Sequence, residues 1–244
     1  MQPKYIHIKE TASTNTYLAN MSSVLPEGTV IYTTVQSAGR GQRGASWESE
    51  PGKNLTFSLL LKPKYIRPNE QFYISEAVSV GIVNVLSKYA SGFSVKWPND
   101  IYYRDKKISG ILIEHSIAGN NIENTVVGIG ININQKEFFS DAPNPVSLAQ
   151  IIDTDTDLDV ILKEIVLSIF ELACFDESTV FDEIHRSYLE ILYRKDGAFH
   201  KFSTPAGETF EAIITDVLPD GTLTLQDEAG DTRCYAFKEV SFII

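Results

Sequence analysis

The sequence predicts an α+β fold: a mixed β-sheet with flanking helices over residues 1–195, then a small antiparallel β-barrel over 196–244. Three observations predict it. Short β-branched and apolar runs in the larger part mostly follow one another, with helical patterns set among them. Two segments, within 71–89 and 158–172, repeat apolar residues at helical spacing. After Lys195-Asp196-Gly197 the pattern changes to short alternating runs separated by turn signals, the signature of a small barrel, so the domain boundary is placed near residue 195.

Taken in order, Tyr5–Ile8 reads as a strand, and Ser13-Thr14-Asn15 supplies short polar side chains that cap a helix running to about Met21. Thr29–Val35 is β-branched and extended, whereas residues 36–53 hold too many glycines for regular structure. Asn54–Lys62 is a strand, and Gln71–Tyr89 a helix with Phe72, Val78, Ile82 and Leu86 on one face. Strands at Ser94–Lys96, Ile101–Tyr103, Lys107–His115 and Thr125–Asn132 follow, then a proline-containing loop at 137–147. Ile161, Ile165, Ile169 and Leu172 mark one further helix and Val180–Tyr193 a second. Beyond 195, strands are expected at Thr209–Val217, Thr222–Gln226 and Thr232–Phe237, with turns at Pro219-Asp220-Gly221 and Glu228–Asp231.

Composition narrows the function classes. Hydrophobic residues make up 43% and charged residues 22%, so collagen-like, disordered and disulfide-scaffold classes drop out. The apolar runs are too short to span a bilayer, and Lys4, Lys9 and Glu10 interrupt any secretory h-region. With Cys174 and Cys234 forming no CxxC, a reducing, cytoplasmic setting is the expectation. Net charge is −11, and all of it resides between Glu137 and Glu190, where 13 acids face two bases. The absence of a basic stripe argues against nucleic-acid binding and against anionic membranes.

Gln36-Ser37-Ala38-Gly39-Arg40-Gly41-Gln42-Arg43-Gly44 sets two guanidiniums among three glycines between two strands. Glycines let backbone N–H groups approach an anion, and Arg adds a permanent bidentate charge. The pattern alone leaves an anion cradle and a solvated surface loop equally open, and no GKS or GKT makes it a Walker A loop. Lys96-Trp97-Pro98-Asn99-Asp100 ends a strand in turn residues, which turn chemistry by itself explains. In Lys107-Ile108-Ser109-Gly110-Ile111, Gly110 interrupts an apolar strand, a sign of close approach by a ligand or another backbone. Gly128 and Gly130 in VVGIGININ give a strand one smooth face, suited to a flat ligand or to tight packing; the missing third glycine rules out a dinucleotide fingerprint. Asp153 to Asp159 with Glu164 imitate a calcium loop, but Leu158 stands where the turn needs Gly. His7, His115, His185 and His200 have no His or Cys at zinc-ligand spacing.

Together, Ser13-Thr14-Asn15, QSAGRGQRGASW (Gln36–Trp47), KWPNDIYY with KKISGILIE (Lys96–Glu114) and VVGIGININ (Val126–Asn134) resemble the biotin protein ligases in order and spacing, from residue 5 to about 135. The small last domain is also similar to that family's C-terminal SH3-like barrel. The resemblance implies a biotin/lipoate-ligase-like catalytic domain at 1–195. It implies a ligase that joins biotin to ATP as biotinyl-5′-AMP, then transfers biotin to a lysine of a carrier domain in a biotin-dependent carboxylase.

On that resemblance, Ser13, Thr14, Asn15 and Gln36 line the biotin head-group pocket, and Arg40, Gly41 and Gln42 hold the carboxylate and then the adenylate. Lys107 is the principal catalytic cation, Gly110 lets biotin lie on its strand, and Asp100 and Asn99 handle metal or the acceptor lysine. Arg43, Trp47 and Asn132 match nucleotide-site positions, as do Arg40, Asn99 and Lys107. Magnesium is expected mostly through phosphates, and relatives often form homodimers. Where the family loop commonly reads GRGRRGR, this chain has Gln42 and Ala45, which removes two cations from the cradle. Some relatives carry an N-terminal helix-turn-helix; the form expected here lacks it. The rival readings are a lipoate ligase or octanoyltransferase, and a biotin-sensing module without activity.

Overall fold

The computed structural model describes residues 2–44, 46–139, 144–173 and 180–244; the side chains of Arg43 and Val180 lie outside it, as do Ala45, Pro143 and Cys174. The larger part is a seven-stranded mixed sheet in the order β1-β2-β3-β7-β6-β5-β4. Its elements are β1 (Lys4–Ile8), α1 (Thr14–Ala19), β2 (Thr29–Thr33), β3 (Leu55–Leu61), α2 (Phe72–Leu86), β4 (Phe93–Lys96), β5 (Asp100–Tyr103), β6 (Lys106–Ala118) and β7 (Asn121–Ile131). Strand β1 runs parallel to β2, and the remaining ladders are antiparallel. Three helices follow: α3 (Leu148–Ile152), α4 (Leu158–Ala173) and α5 (Val180–Glu190).

The period-2 alternation of strands divides this sheet into two faces. Leu55, Phe57, Leu59, Leu61, Val127, Ile129 and Ile131 turn to one side and join α2, α4 and α5 in the main core. Each fully buried large side chain there, such as Phe57, contributes about 1.5–3 kcal/mol. The other face is only partly covered. Leu18 of α1, Ile31, Leu60 and Val126 form a small cluster at one end, and the rest of that face carries the polar residues described below.

Sequence and structure differ at the ends of elements and in three short ones. Helix α1 stops at Ala19 and β2 at Thr33, because Asn20–Ser22 and Thr34–Val35 make turn and side-chain hydrogen bonds instead. Helix α3, unexpected at five residues, is held by a capping box in which the Ser147 hydroxyl accepts from the Gln150 amide while the Gln150 side chain accepts from the Ser147 amide. The acids before α4 have a capping role: Asp157 Oδ1 accepts from the amides of Asp159 and Val160.

The C-terminal part is a five-stranded antiparallel sheet in the order β11-β10-β9-β8-β12. Its strands are β8 (His200–Ser203), β9 (Thr209–Val217), β10 (Leu223–Asp227), β11 (Thr232–Tyr235) and β12 (Ser241–Phe242). Strands β8 and β12 were not legible as strands, and no ladder closes β11 onto β12 among the described residues. This sheet packs on the larger part without a break in the core, since Phe202, Ile214, Leu223 and Val240 belong to the same apolar cluster as Phe57 and Trp97. Two polar joints add to it: Trp97 Nε1 donates to Gly221 O at 2.9 Å, and the Phe72 amide donates to Pro219 O at 3.1 Å. Among the described residues no helix is long and apolar enough to cross a membrane.

Candidate active site

Antiparallel register puts one row of residues straight across four ladders: Lys96 pairs with Asp100, Asp100 with Gly110, Gly110 with Gly130, and Gly130 with Thr56. Residues paired in this way share a face. All five line a cavity of about 370 Å³, a size suited to a small-molecule ligand. The next row, Leu112–Gly128–Ser58, continues the floor toward α1.

Helix α1 and the glycine-rich loop close the biotin-side end expected from the sequence. Ser13 caps α1 by accepting from the Thr16 amide, which brings Thr14 and Asn15 down onto the sheet, both about 3% exposed. Gln36 Oε1 accepts from the Thr14 amide at 2.9 Å. Asn15 Nδ2 donates to Leu112 O at 3.1 Å and to Glu114 Oε2 at 2.9 Å, and its Oδ1 lies 2.6 Å from Ser58 Oγ. Ser13, Thr14, Asn15 and Gln36 therefore stand together at one end of the cavity, and Gly41 and Gln42 also line it.

Arg40 and Lys107, distant in sequence, line this same cavity. Arg40 Nη2 donates to Glu114 Oε2 and to Thr16 Oγ1, each at 3.2 Å. Both side chains of that ion pair are well exposed, 48% and 39%, so the pair is worth no more than about 1 kcal/mol and is readily exchanged for an incoming anion. Lys107 Nζ sits 2.6 Å from Asp100 Oδ1 in a less exposed pair. Its backbone is fixed by segment 144–146: the Lys107 amide donates to Asn144 O and Lys107 O accepts from the Val146 amide.

Trp47 occupies the smooth glycine face. A Cβ at Gly130 would run into its ring, and one at Gly110 would lie 3.1 Å from it. The ring stands 5.9 Å from Lys107 Nζ, and its Nε1 is buried with no hydrogen-bond partner among the described residues. The flat group lying on the strand glycines is thus a side chain of the protein itself, with an indole donor left unmet beneath it. Such an orphaned donor costs about 1–3 kcal/mol and marks a ring that gains from moving or from meeting a ligand acceptor.

Two expected site residues have side-chain amides engaged by the protein's own backbone. Asn132 does not line the cavity; it is buried, and its Nδ2 donates to Val146 O. Asn99 does line it, but its Nδ2 donates to Ile111 O at 2.7 Å and its carbonyl accepts from the Ile111 amide, so its side chain holds the turn onto β6. Arg43 falls outside the described side chains.

Other lining residues carried no sequence signal. Lys238 and Phe242 come from the C-terminal sheet and its loops, with no motif to announce them. Lys96 could have been found, since it heads the KWPND run. Its ammonium lies over the rings of Tyr102 and Phe242, at 5.1 and 5.4 Å, and burial pulls its pKa down. Among the described residues the lining holds four cations, Arg40, Lys96, Lys107 and Lys238, against one carboxylate, Asp100. In a chain of net charge −11 that is a local inversion suited to a polyanion. The same residues do not make a metal cage: no cluster of three acidic, His or Cys ligands exists among them, and Asp100 is taken by Lys107.

Residues 8–132 match the sequence model of the biotin/lipoate A/B protein ligase family. The chain is 32% identical over 174 residues to the bifunctional ligase/repressor BirA of Bacillus spizizenii, covering 70% of this chain and 51% of that protein. It is 28% identical over 128 residues to the biotin–[acetyl-CoA-carboxylase] ligase of Paracoccus denitrificans, covering 52% and 53%. The chain thus spans about half the length of these relatives. Its fold superposes on the biotin protein ligase of Aquifex aeolicus, solved with biotin and ATP, with a TM-score of 0.81 and 26% identity over 98% of each chain. The family match covers strands β3, β4, β5, β6 and β7, the glycine-rich loop and the lysine that line the cavity, though not its C-terminal wall, and on that match the chain belongs to the biotin/lipoate A/B protein ligase family.

Proposed function

We propose that the chain is an ATP-dependent ligase that activates biotin as biotinyl-5′-AMP and transfers it to a lysine of a biotin carrier domain, as a biotin–[acetyl-CoA-carboxylase] ligase does. The observation that carries this reading is the meeting of Arg40 and Lys107 in one cationic cavity with Ser13, Thr14, Asn15 and Gln36 at its end. The relatives named as biotin ligases support it.

A ureido ring buried at the α1 end needs hydrogen-bond partners, and the polar side chains of Ser13, Thr14, Asn15 and Gln36 are of the types that would supply them. Its carboxylate then points along the floor toward the cations. An oxygen of that carboxylate attacks the α-phosphorus of ATP, the bond to pyrophosphate breaks, and Lys107 and Arg40 offset the negative charge that brings two anions together. Asp100 holds the Lys107 ammonium in place. Trp47 must leave the Gly110–Gly130 face for biotin to occupy it, and the loop bearing Arg40, Gly41 and Gln42 then covers the intermediate from water. Residues 1–195 carry the chemistry in this reading, and 196–244 form one wall of the cavity. Among the described residues the cavity offers no metal cage of its own, so magnesium would arrive on the phosphates.

Incubation of the purified protein with ATP, magnesium, a biotin carrier domain and either biotin or lipoate tests the reading. Biotin attached to one carrier lysine is the expected product, and lipoate attachment without biotin attachment contradicts it.

A further inference from the structure

A second cavity, of about 250 Å³, adjoins the first and shares Gln42, Pro98, Asn99, Ile111 and Phe237 with it. It differs in charge. No Lys or Arg lines it among the described residues, whereas four cations line its neighbour. Its walls combine Phe72 and Ile113 with the hydroxyls of Ser75, Ser79 and Thr222, and the exposed Asp220 places a carboxylate where it meets solvent. His115 in its lining is held toward its neutral form by burial. Two polar atoms in the lining are buried without partners among the described residues: Ser79 Oγ, on a fully buried residue, and Gln42 Oε1 on the partition itself.

We propose that this second cavity admits the side chain of the acceptor lysine and delivers its amine to the activated biotin across the Gln42–Asn99 partition. The proposal rests on the ligase reading above. A lysine entering through the main cavity would meet four like charges and one carboxylate, Asp100, which Lys107 already holds, whereas Asp220 attracts its ammonium from solvent. Apolar walls then favour loss of its first proton to water at the mouth of the cavity, and the serine hydroxyls hydrogen-bond the neutral amine. The amine nitrogen forms a bond to the biotinyl carbonyl carbon, the bond from that carbon to the AMP phosphate oxygen breaks, AMP leaves with the electron pair, and the amine's remaining extra proton passes to the AMP phosphate or to water.

The test separates the two half-reactions. Ser75→Phe and Thr222→Phe fill the second cavity from two different elements, and Asp220→Lys reverses the charge at its mouth. Each variant is assayed for pyrophosphate release with biotin and ATP, for capture of the adenylate by hydroxylamine, and for transfer to a carrier domain. The expected result is adenylate formation and hydroxylamine capture within about twofold of the parent, with carrier transfer slowed about tenfold or more. For Asp220→Lys the transfer defect shrinks with added salt. Unchanged carrier transfer, or a loss matched by hydroxylamine capture, overturns the proposal. If the cavity-filling variants fail to fold, Asp220→Lys at low salt decides alone, since the residue is exposed. A parent protein that forms no adenylate would instead remove the ligase reading itself.

Discussion

Lys107 Nζ and Asp100 Oδ1 stand 2.6 Å apart on the neighbouring strands β6 and β5, at the point where the sheet turns its polar face to the main cavity. The pairing sets the lysine's position before any ligand arrives, so its charge can act on a developing phosphoryl charge without reorganising.

Lys107→Ala is therefore expected to lower the rate of adenylate formation by about 3 kcal/mol, on the order of a hundredfold, with biotin affinity little changed. Pyrophosphate release and calorimetric biotin binding measure the two effects. Intact turnover would remove the role given to Lys107.

The Trp47 ring against Gly110 and Gly130 gives a spectroscopic prediction. Biotin should displace the ring, so intrinsic fluorescence should change on titration and Trp47→Phe should abolish most of that change. Trp97, the other tryptophan, is fixed by its bond to Gly221 O but also lines the cavity, so the part of the change that Trp47→Phe removes is the part assigned to the Trp47 ring. Fluorescence that does not respond to a saturating ligand would show that biotin lies elsewhere.

Gly110→Val is expected to weaken biotin binding, because in the proposed reading biotin lies against Gly110 once the Trp47 ring has left it, and the added branch takes up that space. Unchanged biotin affinity in a folded variant would contradict the placement.

Gln42→Arg returns a cation to the loop in place of a side chain whose Oε1 is buried without a partner among the described residues. One charge-assisted hydrogen bond to the adenylate phosphate is worth about 1.5–3 kcal/mol, so escape of the adenylate into solution should slow by about tenfold or more. Stopped-flow release of the preformed intermediate reports this directly; equal release rates would show that the position does not face the phosphate.

His185 predicts a pH dependence of stability. Its Nδ1 lies 2.8 Å from Glu76 Oε1 on α2 and its Nε2 3.0 Å from Asp216 Oδ1 on β9, so it ties the C-terminal sheet to the main body. The Glu76 hydrogen bond holds the His185 pKa above its ordinary value of 6.5. Burial also raises Glu76, although the bond to His185 pulls it back. With both folded pKa values raised, the folded state keeps protons that the unfolded chain releases. The stabilisation is complete below the unfolded His value and is lost as pH rises through the folded one. Tm should therefore fall on raising the pH from about 6 upward, and fall less in the double variant His185→Gln/Glu76→Gln, which removes both groups; parallel Tm curves for the two proteins would rule the linkage out.

What the sequence made legible follows from locality. Gly110 and Gly130 announced a close approach because a glycine inside an apolar strand has few other uses, and capping chemistry announced Ser13 at the start of α1. The sequence did not show that the approaching group is Trp47, since that depends on how the loop folds back over the sheet. Strands β8 and β12 escaped because they are four and two residues long and lack a pattern of their own. Lys238 and Phe242 reach the cavity only through packing of the C-terminal sheet on the main core, a long-range relationship with no local signal. Asn132 matched a motif position; its Nδ2 is engaged by Val146 O in the interior, while its Oδ1 is buried without a partner among the described residues.

A structure of the protein bound to a non-hydrolysable biotinyl-adenylate analogue tests the central claim most directly. The account predicts the phosphate within hydrogen-bond distance of both Lys107 and Arg40, the ureido ring beside Thr14, Asn15 and Gln36, and the Trp47 ring moved off Gly110 and Gly130. An analogue bound outside this cavity, with Trp47 still seated on the glycines and Arg40 still paired to Glu114, would contradict it.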